Sequence, residues 1–149
     1  MSGQFIGYFE NAVHNQRVVI PATFKKKFSD AAMRTVILTA GPRNSIAVYP
    51  LDCWNATLEK LAAGDERQRK LRTHLIDCAV TEQELEGPGR IRIPELLLTE
   101  ANITDSVVIK GEQTYITLWN PSEFKAKRQK DREENLREFD TDIYQVPLT

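Results

Sequence analysis

Arg17 and Arg90 each open the pentapeptide Arg-X-X-Ile-Pro, at residues 17–21 and again at 90–94. A guanidinium beside a turn has two chemical uses. It can bond a nearby carboxylate and organise the fold, or it can bond a phosphate or a base edge. Other reactive side chains are sparse. Cys53 and Cys78 form no C-x-x-C pair and are expected as small buried thiols. A structural zinc usually needs four Cys or His ligands. His14 and His74 are the only histidines, and neither is expected to have a ligand neighbour at helical or loop spacing. No metal site and no cofactor are therefore expected. No Ser or Cys is expected to pair with a placed His, and no Gly-rich phosphate loop is present, so an enzyme has little support.

The charge pattern favours the polyanion use on one part of the chain. Net charge is −1 over 149 residues. Residues 1–54 carry six Lys/Arg against three Asp/Glu, whereas residues 83–126 carry four against seven. A basic first half on a near-neutral chain is an electrostatic pointer to a polyanion partner there. No apolar run approaches the ~18 residues of a membrane span. The first residues show neither a basic nor an apolar leader region, so a cytosolic chain without a membrane partner is expected.

The arginines need elements to hold them, and those elements recur. Shifting the chain by 73 positions lays Arg17, Ile20 and Pro21 on Arg90, Ile93 and Pro94. Farther on the shift becomes 70: residues 36–38 fall on 106–108, and Gly41 meets Gly111. In that register Tyr49 meets Trp119 and Trp54 meets Phe124. Each unit reads alike. An extended lead-in (residues 4–13; 79–86) meets a polar turn (His14-Asn15-Gln16; Gly87-Pro88-Gly89) and then a short β-branched strand. Proline ends that strand and opens a short helix, near residues 22–28 and 95–101. Two hairpin strands follow (36–39 and 46–49; 107–110 and 115–119), then a further helix in which Asp52 or a polar neighbour is a candidate N-cap. Ile20, Pro21, Ile93, Pro94, Tyr49, Trp54, Trp119 and Phe124 are assigned to the core.

Between the copies, apolar positions Trp54, Leu58 and Leu61 mark one helix, broken at Gly64, and a second is expected from about 65 to 76. Residues 123–138 alternate charges, as a solvated helix or a subunit contact would. Residues 139–149 have no clear period and read as a loose tail.

The paired order of Arg-Val-Val-Ile-Pro, Val-Tyr-Pro-Leu-Asp-Cys-Trp, Gly-Arg-Ile-Arg-Ile-Pro and Leu-Trp-Asn-Pro-Ser-Glu-Phe resembles the bacterial MraZ family. The resemblance spans roughly residues 5–123. It implies a mixed β/α fold: two tandem AbrB-like (SpoVT-AbrB, swapped-hairpin-type) β units in one pseudo-symmetric domain, with a helical connector and a C-terminal helix. The corresponding division is 5–54 for the first repeat, 55–78 for the connector, 79–126 for the second repeat and 127–149 for the charged helix and tail. It also implies a cytoplasmic, nucleoid-associated transcriptional regulator that forms a homo-oligomeric ring on repeated promoter boxes. The genes so regulated would be those of division and the cell wall. Its partners would be double-stranded DNA and further copies of itself.

The family signature is Asp-X-X-X-Arg in each half. Both arginines match, as Arg17 and Arg90. Glu86 stands four before Arg90 with Gly89 preceding it, so Glu86 and Gly89 are read as the orienting turn residues. Four before Arg17 is Val13, and the glycine is Gln16. On this reading Glu86 orients Arg90, whereas Arg17 is oriented otherwise or freer. His14, Asn15 and Gln16 offer polar groups to phosphates or base edges. Lys25, Lys26 and Lys27 offer phosphate contacts, although solubility explains them as well. The first copy is thus expected to read DNA and the second to build the ring. The competing reading is an oligomeric assembly whose DNA binding has weakened. A single-copy antitoxin of the AbrB class is excluded by the duplication.

Overall fold

The computed structural model describes residues 1–148; Thr149, the last residue of the expected tail, lies outside them. Among the described residues eight strands form. They are β1 (Tyr8–Ala12), β2 (Arg17–Val19), β3 (Thr35–Ala40), β4 (Ile46–Pro50), β5 (Ala79–Glu84), β6 (Arg90–Arg92), β7 (Ser106–Gly111) and β8 (Ile116–Trp119). Five helices join or follow them: α1 (Ala22–Lys25), α2 (Leu51–Ala62), α3 (Glu66–Cys78), α4 (Glu95–Glu100) and α5 (Pro121–Glu138). The expected element types are present, with shorter lead-in strands and shorter α1 and α4 than the sequence suggested. A 3-10 turn at Asp142–Gln145 gives the tail local structure.

Six strands make one antiparallel sheet in the order β1-β7-β8-β4-β3-β5, and β2 pairs β6 in a separate two-stranded ribbon. The two copies exchange their first strands. Tyr8–Ala12 pairs with the third strand of the second copy, with Phe9 opposite Ile109. Ala79–Glu84 pairs with the third strand of the first, with Thr81 opposite Leu38. The ribbon is also made from both copies, with Val18 opposite Ile91 at its centre.

These pairings correct the alignment of the copies. Leu38 pairs Val48 as Ile109 pairs Leu118, so Leu38 corresponds to Ile109 and not to Val108. Ala40 pairs Ile46 as Gly111 pairs Ile116, so Gly111 corresponds to Ala40 and not to Gly41. The hairpin loop is one residue shorter in the second copy, and the loop absorbs the difference. Gly111 has its own reason to be glycine: a Cβ there would collide with the backbone of Phe5 and Ile6.

Alternation along the strands builds two cores. The ribbon side of the sheet presents Val36, Leu38, Ile46, Val48, Val107, Ile109, Ile116 and Leu118, all fully or almost fully buried. Val18, Ile20, Ile91 and Ile93 from the ribbon, with Phe24 and Leu97 from the short helices, cover that face in one cluster. On the far face Val108, Trp119 and Phe124 pack together as α5 crosses the sheet. Trp54 is buried from α2, whereas Tyr49 is half-buried and stacks on Tyr115 at 4.8 Å. Pro21 and Pro94 are also half-buried, so these three assigned core residues line its edge.

Helix ends follow local chemistry, with one correction. Asp65 and Gln68 form a reciprocal capping box on α3, and Asn120 accepts from the Glu123 N–H to cap α5. Asp52 caps nothing; Pro50 occupies the N-cap of α2. The Asp52 carboxylate instead accepts from the Ser2 N–H at 2.6 Å and the Ser29 hydroxyl at 3.0 Å, fastening the N-terminal segment. Burial by itself would raise the Asp52 pKa, but bonds from Ser2, Ser29 and the Cys53 N–H outweigh it and hold it below the ordinary carboxylate value. A depressed carboxyl contributes stability that is complete above its unfolded pKa and lost as pH falls through the folded one. In thermal melts, the advantage of the parent over Asp52→Asn should therefore be constant near neutrality and shrink below about pH 4.

Cys53 is buried, and burial pushes its thiol up to about 11. Cys78 is half-buried and does have a histidine neighbour, contrary to expectation: on α3 its Sγ lies 3.6 Å from His74 Nε2, four residues away. Among the described residues no group of three or more His, Cys, Asp or Glu could hold a metal. Among them, too, no helix is long and apolar enough to cross a membrane.

Candidate nucleic-acid interface

Two unlike turns lead into the ribbon. Before β2, His14 and Arg17 exchange backbone bonds (3.0 and 2.8 Å) around Asn15 and Gln16, whose φ values are both positive. That is the requirement of a two-residue type I′ hairpin. Before β6, Glu86 and Arg90 exchange the same bonds (both 2.8 Å) around the three residues Gly87, Pro88 and Gly89. The first turn is therefore one residue shorter, and the structural counterpart of Glu86 is His14, not Val13. Val13 corresponds to Leu85, and both pack against the core. The first copy has a histidine where the second has an acid.

The expected Glu86–Arg90 pair does not form. Glu86 instead meets Arg17 of the other copy, with Oε1 3.3 Å from Nε, while Arg17 Nη1 donates to the Asn15 carbonyl at 3.1 Å. The reason is geometric. Glu86 and Arg90 are committed to each other through the backbone, and the Arg90 side chain folds back beside Gly87. Arg17, opposite Arg92 on the ribbon, reaches across β6 to the carboxylate.

Other first-copy cations also converge on the second turn. Lys25 Nζ donates to the Pro88 carbonyl at 2.6 Å, and Arg34 Nη2 to the Gly87 carbonyl at 3.0 Å. Gly89 is required here, since its φ is +112° and a Cβ would collide with the Lys25 side chain. Lys27 donates to the Gln4 carbonyl at 2.6 Å, which leaves Lys26 as the exposed member of the lysine triplet. Arg17, Lys25 and Arg34 of the first copy thus act as clamps on its neighbour.

The ribbon itself carries the open charge. Val18 and Ile91 point into the core, so Arg17, Val19, Arg90 and Arg92 share the opposite face. Arg90 and Arg92 are exposed and form no ion pair among the described residues. Arg92 is not among the residues the family signature marks; its sequence signal is the alternation Arg-Ile-Arg, which puts two guanidinia on one side of a strand. Two amides fix the ribbon to the sheet edges. Asn11 Nδ2 donates to the Val19 carbonyl at 2.9 Å. Gln83 both accepts from the Arg92 N–H and donates to the Arg92 carbonyl, each at 2.7 Å.

Because Asn11 and Gln83 face the ribbon, alternation sends Glu10, Glu82 and Glu84 to the far face of the sheet. Tyr8, also on that face, lies 5.0 Å from Phe124 of α5, ring centre to ring centre. The acids of the two edge strands therefore lie on the sheet face opposite the ribbon arginines, the face on which Arg128 of α5 stacks over Tyr8.

This combination defines a structural class: a duplicated β module that exchanges strands between its copies and presents a cationic ribbon built from both. A family model described as "MraZ protein, putative antitoxin-like" matches residues 79–146. Curated relatives named "Transcriptional regulator MraZ" cover most of the chain. That of Alkaliphilus metalliredigens is 30% identical, over 80% of this chain and 83% of its own. That of Thermomicrobium roseum is 28% identical, over 83% and 86%, and that of Caldanaerobacter subterraneus 30%, over 77% and 80%. The chain belongs to the MraZ family.

Proposed function

We propose that the protein is a DNA-binding transcriptional regulator whose reading surface is the β2–β6 ribbon. The observation that carries this reading is the cluster of Arg17, Arg90 and Arg92 on one outward face, of which, among the described residues, Arg17 alone is ion-paired, to Glu86. The major groove of B-DNA admits a two-stranded β-ribbon, and arginines along its flanks reach phosphates or guanine edges. His14, Asn15 and Gln16 lie at one end of the ribbon, where their side chains extend the contact. Lys26 adds a phosphate contact beside it. Lys25, Lys27, Glu86 and Gly89 shape the surface.

The module is of the AbrB-like, swapped-hairpin type, with residues 5–54 and 79–126 as its repeats. One protomer offers few contacts, so affinity comes from a ring of copies engaging repeated operator boxes, each later contact being intramolecular. The boxes lie upstream of division and cell-wall genes, in the cytoplasm and on the nucleoid.

Fluorescence titration of duplexes from upstream of the protein's own gene, between 50 and 200 mM salt, tests the reading. Affinity should fall steeply, by about 0.9 of a log-log slope unit per phosphate neutralised. An intact oligomer that ignores every duplex would favour the assembly with weakened DNA binding.

A further inference from the structure

The ribbon has two corners related by the pseudo-two-fold through Val18 and Ile91, and they differ. At one, Arg17 faces Arg92; at the other, Val19 faces Arg90. Ile93 donates to the Gln16 carbonyl and Ile20 to the Gly89 carbonyl, which makes residues 16 and 20 the hydrogen-bonded positions of β2. Arg17 with Arg92 is then a non-hydrogen-bonded pair, the kind whose side chains stand closest across a ladder. Two like charges placed there repel unless an anion lies between them.

An anion is already present on one of them. The Glu86 contact to Arg17 is single, long at 3.3 Å for a charge-assisted bond, and open to solvent on both partners. It leaves the Nη2 edge of Arg17 without a partner among the described residues. Arg92 is the complement: its backbone is pinned on both sides by Gln83, while its guanidinium is unspent. Such a pair of forks, one open on a pinned backbone and one weakly occupied, can take the tetrahedral oxygens of a phosphate.

We infer that Arg17 and Arg92 together form one phosphate site across the ribbon, and that Glu86 occupies it in the free protein in competition with a DNA phosphate. This rests on the DNA-binding reading and adds to it an internal competitor. DNA binding exchanges Glu86 for phosphate on Arg17, and the released carboxylate turns to solvent. The first copy contributes the gated arginine, and the second contributes both the gate and the open arginine.

The test uses the full chain and a heterogeneous-sequence DNA duplex, which isolates phosphate contacts from base readout. Salt dependence is measured for the parent, R17A, R92A, R17A/R92A, E86Q and R17A/E86Q. A shared site predicts that the double arginine variant loses no more slope than either single variant. E86Q should bind about two- to fivefold more tightly than the parent, the scale of an exposed ion pair, and the gain should vanish in R17A. A slope loss twice that of either single variant would overturn the shared site. An equal E86Q gain with and without Arg17 would overturn the competition, leaving Glu86 as a general negative charge. Failure of the parent to bind any duplex would sink the DNA reading itself. Thermal melts accompany every variant, and an R17Q/R92Q series repeats the comparison if alanine unsettles the ribbon.

Discussion

Phe24→Ala should lower unfolding free energy by about 3–5 kcal/mol in denaturant titrations. Phe24 is 0% exposed and sits in a one-turn helix, too short to hold itself. Its ring meets Phe5 edge-on at 5.7 Å and Phe9 at 5.3 Å. Through Phe5 it anchors the N-terminal segment that bridges to Gln113, and through Phe9 it supports β1 against the ribbon. The N-terminal segment and β1 therefore converge on this one side chain of α1, and little can collapse into the space it leaves. A loss below about 1 kcal/mol, the size of a surface change, would show that the cluster repacks freely.

Reversing the open ribbon charges should have the largest effect on binding. R90E/R92E should weaken affinity for duplex DNA at least about a hundredfold at low salt, because each reversal removes a phosphate contact and adds repulsion. The control is E82K/E84K on the opposite face of the sheet. It changes net charge by the same amount in the other direction, yet should move affinity by less than about threefold once salt screens beyond ~10 Å. If E82K/E84K tightened binding as strongly as R90E/R92E weakened it, overall charge rather than the ribbon would govern association.

The contrast between these variants explains what could be read from the sequence. Arg-X-X-Ile-Pro, repeated, located the ribbon, because a β-branched triplet stopped by proline has few structural interpretations. Turn chemistry at Asn15-Gln16 and Gly87-Pro88-Gly89 marked both hairpins. Pairing between copies was a different matter. Local pattern specifies that a strand has an inner face, not which strand it will lie beside, so the exchange of β1 and β5 was hidden. A fixed count of four residues likewise placed Val13 opposite Glu86. Only the backbone bonds of the shorter turn show His14 to be the counterpart. The Glu86–Arg17 contact spans two copies and has no spacing to betray it. Arg92 was legible in principle from alternation, but its importance depends on Arg17 standing across the ladder. The halves of the chain differ in charge, yet alternation redistributes Glu10, Glu82 and Glu84 to the face away from the arginines.

The exchanged strands also bear on how the chain folds during synthesis. Tyr8 leaves the ribosome well before its ladder partner, Lys110. At about 5–20 residues per second, β1 waits several seconds before β7 exists at all. In that interval Phe5 and Phe9 can meet Phe24, but β1 has no strand beside it, since β7 is its sole neighbour in the sheet. Such long-range closure slows folding and leaves an unpaired strand available to neighbouring nascent chains. When several ribosomes translate one message, that strand can pair with the β7 of a neighbouring copy in competition with its own. The ladder that unites the two copies within one protomer is thus also the place where separate molecules can become entangled at birth.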